Sequence, residues 1–371
     1  MPAQKKNGVP WSSTLVIKGV GKGSIKAMNG QDELILVGGG ENGYSCWARG
    51  TEPFGDDKWA TYDSPNTSTD KRYMAYGKDA FGNPRWVCGS GDNNREIMWS
   101  DAPLIPDQNG GTGGGGAAAW NSVNVTGDTS RIGYCKGKWI ISGQMVDGAQ
   151  TLRTSSDGET WGTVDISGLA DISTTTSYGL AHDGAGNWIM TQDDRVYAST
   201  DNGSIWFLLE DFNDGRHIRD AGFSNGYWFV LARRIGGVTG VEGVSRASAA
   251  NSGSWTTSGD LNLGDAIKTA GALGCAVSTG SAAHSTIMAV NSNDLAKSHD
   301  SGANFTYFSN ALPHGSAATI IGDGRGTWIV GHDGSDISIS VDDGATWIDA
   351  ASEISGGDDT DMMAFNILLP V

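Results

Sequence analysis

Short strand-like segments recur along the whole chain, and each is bounded by residues that favour turns. The most regular ones begin at a turn and continue with an aromatic or aliphatic residue and a short apolar run. Five contain Trp and two do not: residues 83–87, 137–141, 186–190, 226–230 and 326–330, and residues 32–36 and 285–288. Apolar runs of this length between Gly, Asn and Asp predict β-strands rather than helices.

Further strands are predicted on both sides of these segments. Five lie upstream, at residues 72–76, 131–134, 177–180, 218–222 and 318–321, and two lie downstream, at 195–199 and 336–340. The turns Asp183–Gly186 and Asp323–Gly326 supply the left-handed residues that tight hairpins need. Four antiparallel strands that repeat every ~40–60 residues predict one blade of a β-propeller.

A second motif recurs where a predicted third strand ends. Residues 199–206, 298–305 and 340–347 fit the pattern S-x-D-x-G-x-x-aromatic without gaps. The residues that fix this pattern are Ser199, Asp201, Gly203, Trp206, Ser298, Asp300, Gly302, Phe305, Ser340, Asp342, Gly344 and Trp347. The Asp can accept backbone N–H groups of its own turn, the Gly supplies a positive φ, and the ring is expected to pack between neighbouring sheets. We therefore interpret the three Asp as structural residues rather than metal ligands or catalytic groups.

Less regular copies extend the repeat. In residues 154–161, Ser156 stands where the pattern has Asp, and the copy that ends at Trp255 is one residue short. The placement of Trp supports the alignment. The strand position holds Trp86, Trp139, Trp188, Trp228 and Trp328, and the motif position or its expected place holds Trp11, Trp59, Trp120, Trp161, Trp206, Trp255 and Trp347. Of the 14 Trp, only Trp47 and Trp99 fall outside these two positions.

Over roughly residues 11 to 370, these motifs resemble those of the Asp-box, or BNR-repeat, propellers. That superfamily includes sialidases, xyloglucan-cleaving endoglucanases, sortilin-type receptors, photosystem-assembly factors and many phage tail proteins. The resemblance implies an all-β chain that forms a single β-propeller. The seven turn-and-strand segments described above predict about seven four-stranded blades, with six or eight as alternatives. It also implies that the motif turns lie at the periphery of the blades.

Domain boundaries follow from the extent of the repeat. Residues 1–10 are predicted to be an N-terminal extension and residues 11–371 the propeller, with loop insertions near 105–119 and 233–254. Trp11–Ile17 resembles a fourth strand without a blade, and Asp361–Leu369 resembles a first strand without one. We expect the N- and C-terminal strands to close the ring, because closure removes the strand edges through which open sheets aggregate.

Composition narrows the choice of partners and chemistry. The 42 acidic and 25 basic residues give a formal net charge of −17, which disfavours binding to nucleic acid and to anionic lipid. No apolar segment follows Lys5 and Lys6, so we predict no secretory signal, and no run approaches the ~18 apolar residues of a membrane-spanning helix. The Cys and His residues show no metal-ligand spacing and no nucleotide-binding motif occurs, so neither a metal nor a cofactor is expected.

Three arginines are the candidate binding residues. Arg72, Arg131 and Arg219 fall on or beside predicted inner strands of different blades, at the expected mouth of the central channel. The sialidase resemblance implies an Arg triad, a Tyr/Glu nucleophile pair and an acidic proton donor. However, the Arg-Ile-Pro motif is missing and no Tyr/Glu pair matches. Asp220, Asp183 and Asp323 could serve a xyloglucanase-like mechanism, which needs two facing carboxylates, but no motif selects them. We therefore assign no catalytic residue.

These features favour a non-enzymatic binding or structural propeller. A Gly-, Ser-, Thr-, Asn- and Asp-rich propeller without an export signal or disulfide framework resembles virion proteins of tailed phages, which are made in the host cytoplasm. We expect a tail or surface component that docks on a protein partner in a larger assembly or recognises a cell-surface glycan. The alternative is a sialidase-like or xyloglucanase-like glycosidase that uses the channel mouth.

Overall fold

The computed structural model describes residues 34–39, 43–48, 60–63, 71–90, 96–101, 121–125, 129, 131–143, 152–166, 168–169, 177–214, 216–234, 243–248, 254–258, 271–275, 286–322, 326–332, 336–351 and 362–365. Within these ranges the regular secondary structure consists of 28 β-strands. The same residues contain no helix long and apolar enough to span a membrane.

The described strands form seven four-stranded antiparallel sheets. Blade 1 contains β1 (Leu34–Gly39), β2 (Gly43–Ala48) and β3 (Ala60–Asp63), joined by β28 (Met362–Phe365). Blade 2 contains β4 (Lys71–Lys78), β5 (Pro84–Ser90), β6 (Glu96–Ser100) and β7 (Asn121–Asn124). Blade 3 contains β8 (Arg131–Cys135), β9 (Lys138–Ser142), β10 (Arg153–Ser155) and β11 (Gly162–Thr163). Blade 4 contains β12 (Ser177–His182), β13 (Trp188–Gln192), β14 (Arg195–Ser199) and β15 (Phe207–Asp211).

The remaining three blades follow the same order along the chain. Blade 5 contains β16 (Arg216–Ser224), β17 (Tyr227–Arg234), β18 (Gly243–Ala247) and β19 (Thr256–Thr257). Blade 6 contains β20 (Gly271–Cys275), β21 (Ile287–Asn291), β22 (Asp294–Ser298) and β23 (Thr306–Phe308). Blade 7 contains β24 (Ala317–Gly322), β25 (Trp328–His332), β26 (Ile337–Ser340) and β27 (Ile348–Ala351).

The sheets close into a ring around a central channel. The first strands of successive blades contact one another in the order β4, β8, β12, β16, β20, β24 and β28, and β28 in turn contacts β4. β28 pairs with β1 in antiparallel register, with Phe365 opposite Ile35. The C-terminal segment therefore supplies the innermost strand of blade 1. This confirms the predicted all-β propeller and the C-terminal half of the predicted closure, whereas Trp11–Ile17 lies outside the described residues.

Aromatic residues in the inner two strands of each blade form much of the core. Trp139, Trp188, Trp228 and Trp328, all in second strands, are at most 1% exposed. In four successive blades a ring at the end of the first strand faces the Trp, with centroids 4.7–4.8 Å apart and planes tilted by 54–57°. The pairs are Tyr76–Trp86, Tyr134–Trp139, His182–Trp188 and Phe223–Trp228. Tilted ring pairs add ~0.5–1.5 kcal/mol beyond the burial of their surface.

One described strand lies where the sequence predicts a loop. Gly243–Ala247, inside the predicted insertion 233–254, forms β18, the third strand of blade 5. It pairs with β17, with Ser245 opposite Val230. The pattern missed it because Gly, Ser and Arg interrupt the apolar alternation by which strands are recognised. The other predicted insertion, 105–119, lies outside the described residues.

Candidate functional site

Strand order gives the propeller two different faces. Turns from first to second strands and from third to fourth strands lie at one end of the sheets, which we call the turn face. The first strands begin at the other end, which we call the mouth face. Arg72, Arg131 and Arg219 lie at or near the starts of β4, β8 and β16, so all three belong to the mouth face.

Strand register places the three arginines at nearly one level of the channel. The pairing of β4 and of β16 shifts at Arg72 and at Arg219, so each is the extra residue of a β-bulge. Arg131 lies one residue further along its strand than Arg72 and Arg219 do in theirs. It matches Asp220 of β16, because Arg131 and Asp220 each lie three residues before the aromatic ring that faces a Trp in their blade. The register of β12 and of β24 shifts at the same level. Such bulges re-aim side chains and are frequent at the rims of closed sheets.

The structure brings one predicted arginine against a candidate carboxylate. Nε of Arg131 lies 3.9 Å from Oδ1 of Asp220, although blade 4 separates their blades in the ring. Their side chains are 26% and 18% exposed. Asp220 also accepts the N–H of Ala221 at 2.9 Å. This carboxylate therefore serves as the counter-ion of a mouth arginine.

A second set of ion pairs orders the mouth face where blade 4 meets blade 5. Arg195 donates from Nε to Asp211 at 3.2 Å, and Arg216 donates from Nε to Asp214 at 2.9 Å. The hydrogen bonds from Arg216 lower the pKa of Asp214 against an opposing effect of desolvation. The guanidinium of Arg216 also lies 3.9 Å from the centre of the Phe212 ring. These contacts fix the connection into β16, which carries Arg219 and Asp220.

On the turn face, the three motif copies share one hydrogen-bond pattern. In the copy at 199–206, Ser199 donates to Asp201 at 2.8 Å and accepts the N–H of Gly203 at 2.9 Å. Oδ1 of Asp201 also accepts the N–H groups of Ser204 and Ile205 at 2.9 and 2.8 Å. Corresponding bonds hold the copies at 298–305 and 340–347. We call these segments Ser-Asp-Gly turns.

The Asp of these turns is held as an anion by its own turn. Desolvation acts to raise the pKa of Asp300, but hydrogen bonds from the backbone and side chain of Asn304 and from Ser298 outweigh it and lower the pKa to about 2. The pKa values of Asp201 and Asp342 are lowered against desolvation in the same way. Their carboxylate oxygens are thus engaged in the turn, and the described residues contain no group that could hold a metal ion.

The fourth copy of the motif differs from its prediction, because the Asp that was predicted to be missing is present. Ser155, not Thr154, begins the turn: it donates to Asp157 at 2.7 Å and accepts the N–H of Gly158 at 2.7 Å. Asp157 accepts the N–H groups that follow, as Asp201 does. The turn is one residue shorter, so only Gly158 has a positive φ, whereas the other three turns have two successive left-handed residues. The spacing S-x-D at 155–157 was the sequence signal for it.

The glycine of each Ser-Asp-Gly turn is required by the preceding blade as well as by its own φ. A Cβ on Gly203, whose φ is +79°, would lie 2.1 Å from Cδ1 of Ile140 in blade 3. Ile140 is the residue that follows the second-strand Trp. A Cβ would also crowd the preceding blade in the other three turns, at the pairs Gly158–Val87, Gly302–Phe229 and Gly344–Met288. The turns are therefore contact points between blades.

Basic side chains of the preceding blade reach these turns. Arg85 donates to the carbonyl of Asp157 and lies 2.6 Å from the carboxylate of Glu159. Three further cations make equivalent contacts: Lys138 to Ser204, Arg246 to the Ser301 carbonyl and Lys297 to the Asp343 carbonyl. Sequence reasoning missed this set because each cation lies more than forty residues from its acceptor in blade 3, 4, 6 or 7.

One buried Ser–His pair lies on the mouth side of blade 7. Nε2 of His332 is 2.8 Å from Oγ of Ser338, and Nδ1 is 2.8 Å from the carbonyl of Gly315. Because a carbonyl only accepts, Nδ1 donates and Nε2 accepts from the serine. Neither side chain is exposed. The pair therefore joins strands of blade 7 to the connection from blade 6 rather than presenting a nucleophile.

Comparisons with known proteins agree with this geometry. No family model matches the chain, and neither does any curated protein. Among solved structures, YCF48 from Cyanidioschyzon merolae is 11% identical with a TM-score of 0.51, covering 76% of this chain and 85% of that one. The WD40 β-propeller domain of Doa1 is 11% identical with a TM-score of 0.55, covering 84% and 89%. This chain is a β-propeller.

Two further similar propellers were solved in complexes. One structure, YCF48 bound to D1 peptide, is 13% identical with a TM-score of 0.51 and covers 76% of this chain and 81% of that one. The other is from a nidogen/laminin complex, 8% identical with a TM-score of 0.51, covering 91% and 100%. At these identities the similarity shows the fold alone.

Proposed function

We propose that this propeller is a non-enzymatic binding protein whose mouth face docks on a protein partner through Arg72, Arg131 and Arg219. The supporting observation is the register that sets three arginines from three blades at nearly one level of the channel. Guanidinium groups bind carboxylates through paired, charge-assisted hydrogen bonds. Two of the similar propellers, one bound to D1 peptide and one from a nidogen/laminin complex, support a protein or peptide as the kind of partner.

The environment of Asp220 favours binding over glycoside hydrolysis. A glycosidase needs two carboxyl groups that face each other across the bond to be cleaved. Asp220 instead lies 3.9 Å from Arg131 and accepts a backbone N–H. We infer that it holds the arginine in position for the partner.

We further propose that the larger assembly is a tailed-phage virion, in which the chain is a tail or surface component made in the host cytoplasm. The composition and the repeat pattern support this assignment. A cell-surface glycan is the alternative target. Mass spectrometry and immunogold labelling of purified particles test the virion assignment. A fixed copy number per particle is expected, and absence of the chain from intact particles would contradict the assignment.

Add-back to particles that lack the chain tests the docking residues. Wild type and Arg195→Gln, a change on the mouth face outside the channel, should incorporate equally. Arg131→Gln and Arg219→Gln should reduce incorporation at least tenfold. Equal incorporation of all four proteins would exclude the channel mouth as the docking site. Hydrolysis of fluorogenic glycosides that is lost in Asp220→Asn would instead establish the glycosidase alternative.

A further inference from the structure

Blade 4 has a glycine at the level of the channel where its two neighbours carry the Arg131–Asp220 pair. Gly179, like Arg131 and Asp220, lies three residues before the ring that faces a Trp in its blade. The residues at this level of β4, β8, β12, β16, β20 and β24 are Tyr73, Arg131, Gly179, Asp220, Ala272 and Thr319. Among these six strands only β12 has glycine there, and β12 lies between β8 and β16 in the ring.

The first strand of blade 5 packs against Gly179 and leaves no room for a side chain. A Cβ on Gly179 would lie 2.8 Å from the backbone N and from the Cβ of Ala221, and 2.7 Å from Oγ1 of Thr191. Both neighbours are buried. Because backbone atoms cannot rotate away as the end of a long side chain can, a methyl group here would push β12 and β16 apart.

The backbone N that a methyl group would displace also holds the counter-ion of Arg131. The N–H of Ala221 donates to Oδ1 of Asp220 at 2.9 Å. The same oxygen lies 3.9 Å from Nε of Arg131. A shift of Ala221 would therefore move the carboxylate that faces the arginine, and the attraction between the two charges falls as their distance grows.

Blade 7 has the reverse arrangement at this level. Gly179 on the first strand of blade 4 lies opposite Thr191, whereas Thr319 on the first strand of blade 7 lies opposite Gly331. A blade therefore forms with the glycine on either strand. The folding of a blade does not by itself require that the glycine be on β12, beside Ala221 and Asp220.

We propose that Gly179 is a positioning residue of the docking site on the mouth face. The missing side chain lets β16 approach β12 closely enough for Ala221 and Asp220 to hold Arg131 towards the channel. This inference rests on the proposed function of the mouth face. It adds that blade 4, which contributes none of the three docking arginines, controls the arginine of blade 3.

Nuclear magnetic resonance of the Ala221 amide tests the geometry without a partner. Asp220→Asn should shift this resonance in the wild-type background, because it changes the acceptor of the N–H. In the Gly179→Ala background the shift should be at least halved. Gly322→Ala is the matched control, since its Cβ would lie 2.7 Å from the ring of Trp328 in blade 7. It should leave the shift unchanged. A shift of wild-type size in Gly179→Ala would overturn the proposal.

Add-back to particles that lack the chain tests the consequence for docking. Gly179→Ala should reduce incorporation at least tenfold, and Gly322→Ala should incorporate as wild type does. Adding Arg131→Gln to Gly179→Ala should cause no further loss, whereas adding Arg72→Gln should. This non-additivity separates a positioning role from a general loss of stability.

The outcomes distinguish this inference from the proposed function. Normal incorporation of Gly179→Ala beside impaired Arg131→Gln would overturn the positioning role and leave the proposed function intact. Equal losses in Gly179→Ala and Gly322→Ala would also overturn it, because crowding alone would then explain the effect. Normal incorporation of Arg131→Gln and Arg219→Gln would contradict the proposed function itself, and the positioning role with it.

A second variant covers the case in which Gly179→Ala does not fold. Gly179→Ala combined with Thr191→Gly places the glycine on the second strand, as in blade 7, and removes the contact with Oγ1 of Thr191. The contacts with Ala221 remain. This variant should fold and should show the same losses in the amide shift and in incorporation. Wild-type behaviour in both measurements would overturn the proposal.

Discussion

The Ser-Asp-Gly turns of the turn face and the Arg131–Asp220 pair of the mouth face depend on interactions of different range. Each Ser-Asp-Gly turn satisfies its polar groups within a few residues, as when Ser199, Asp201 and Gly203 bond to one another. On the mouth face, Arg131 and Asp220 meet across an intervening blade. The Ser-Asp-Gly turns are therefore specified by local sequence, whereas the Arg131–Asp220 pair forms only once the ring closes. Changes on the two faces should differ in size and in pH dependence.

Removing the ring of a Ser-Asp-Gly turn should have the largest effect. Trp206 is 6% exposed and packs in a cluster with Cys135 and Ile140 of the preceding blade. Trp206→Ala should lower the free energy of unfolding by ~3–5 kcal/mol, as for other large buried aromatics. Chemical denaturation measures the effect. Trp347 is only partly buried, so Trp347→Ala should cost less. A wild-type midpoint for Trp206→Ala would show that its ring does not join the blades.

Acid should weaken the contributions of the buried histidines and of the Ser-Asp-Gly turns in different pH windows. Burial lowers the pKa of His332 to about 4 in the folded protein, below its unfolded value of 6.5. The unfolded chain then binds more protons between these values. The contribution of His332 is thus complete above pH 6.5 and falls by at most about 3 kcal/mol as the pH drops to 4. The pKa of Asp300 is lowered to about 2, so the stability that its turn contributes is lost at lower pH, as the pH falls from about 4 to about 2.

Two substitutions test the contribution of the buried histidines, His332 on the mouth face and His182 on the turn face. Burial also lowers the pKa of His182 to about 4, but Phe223 occupies its position in blade 5, so His182→Phe should be tolerated. Gln192 occupies the position of His332 in blade 4, which makes His332→Gln the matched change. Between pH 6.5 and 4, the stability of the double variant should vary much less with pH than that of wild type. An unchanged slope would assign the effect to other groups.

A pair of glycines separates backbone strain from contact between blades. Gly203 and Gly226 both have φ of +79°, but a Cβ on Gly226 meets no atom within 4 Å. Both Ala variants share the cost of a left-handed residue. Gly203→Ala should be less stable than Gly226→Ala by a further ~1–3 kcal/mol because it overpacks against Ile140. Thermal unfolding of the two variants measures the difference. Equal melting temperatures would mean that neighbouring blades move apart without a cost in stability.

The smallest effect on stability is expected at the mouth. Arg131 and Asp220 are partly exposed and 3.9 Å apart, so their coupling should be below ~1 kcal/mol. A double-mutant cycle with Arg131→Gln and Asp220→Asn measures it. A coupling of several kcal/mol would show that the mouth serves stability rather than binding.

Sequence periodicity predicted the fold because the repeat is self-consistent. Trp at the second-strand position and the Ser-Asp-Gly pattern each mark a fixed place in a blade, and the structure has those strands. Prediction from the repeat failed where the spacing varied. The alignment placed Ser156 at the Asp position, although Asp157 completes the turn. It also failed at β18, whose small residues carry no apolar alternation.

By itself, the sequence determined the blade and its turns, since their hydrogen bonds join residues within four positions of one another and their strands pair with chain neighbours. Only the tertiary structure decided which residues meet across blades: Arg131 with Asp220, Gly203 with Ile140, and Arg85 with the turn at Asp157. Those partners are 89, 63 and 72 positions apart, so no local pattern links them. The packing of blades against one another and the closure of the ring set their distances.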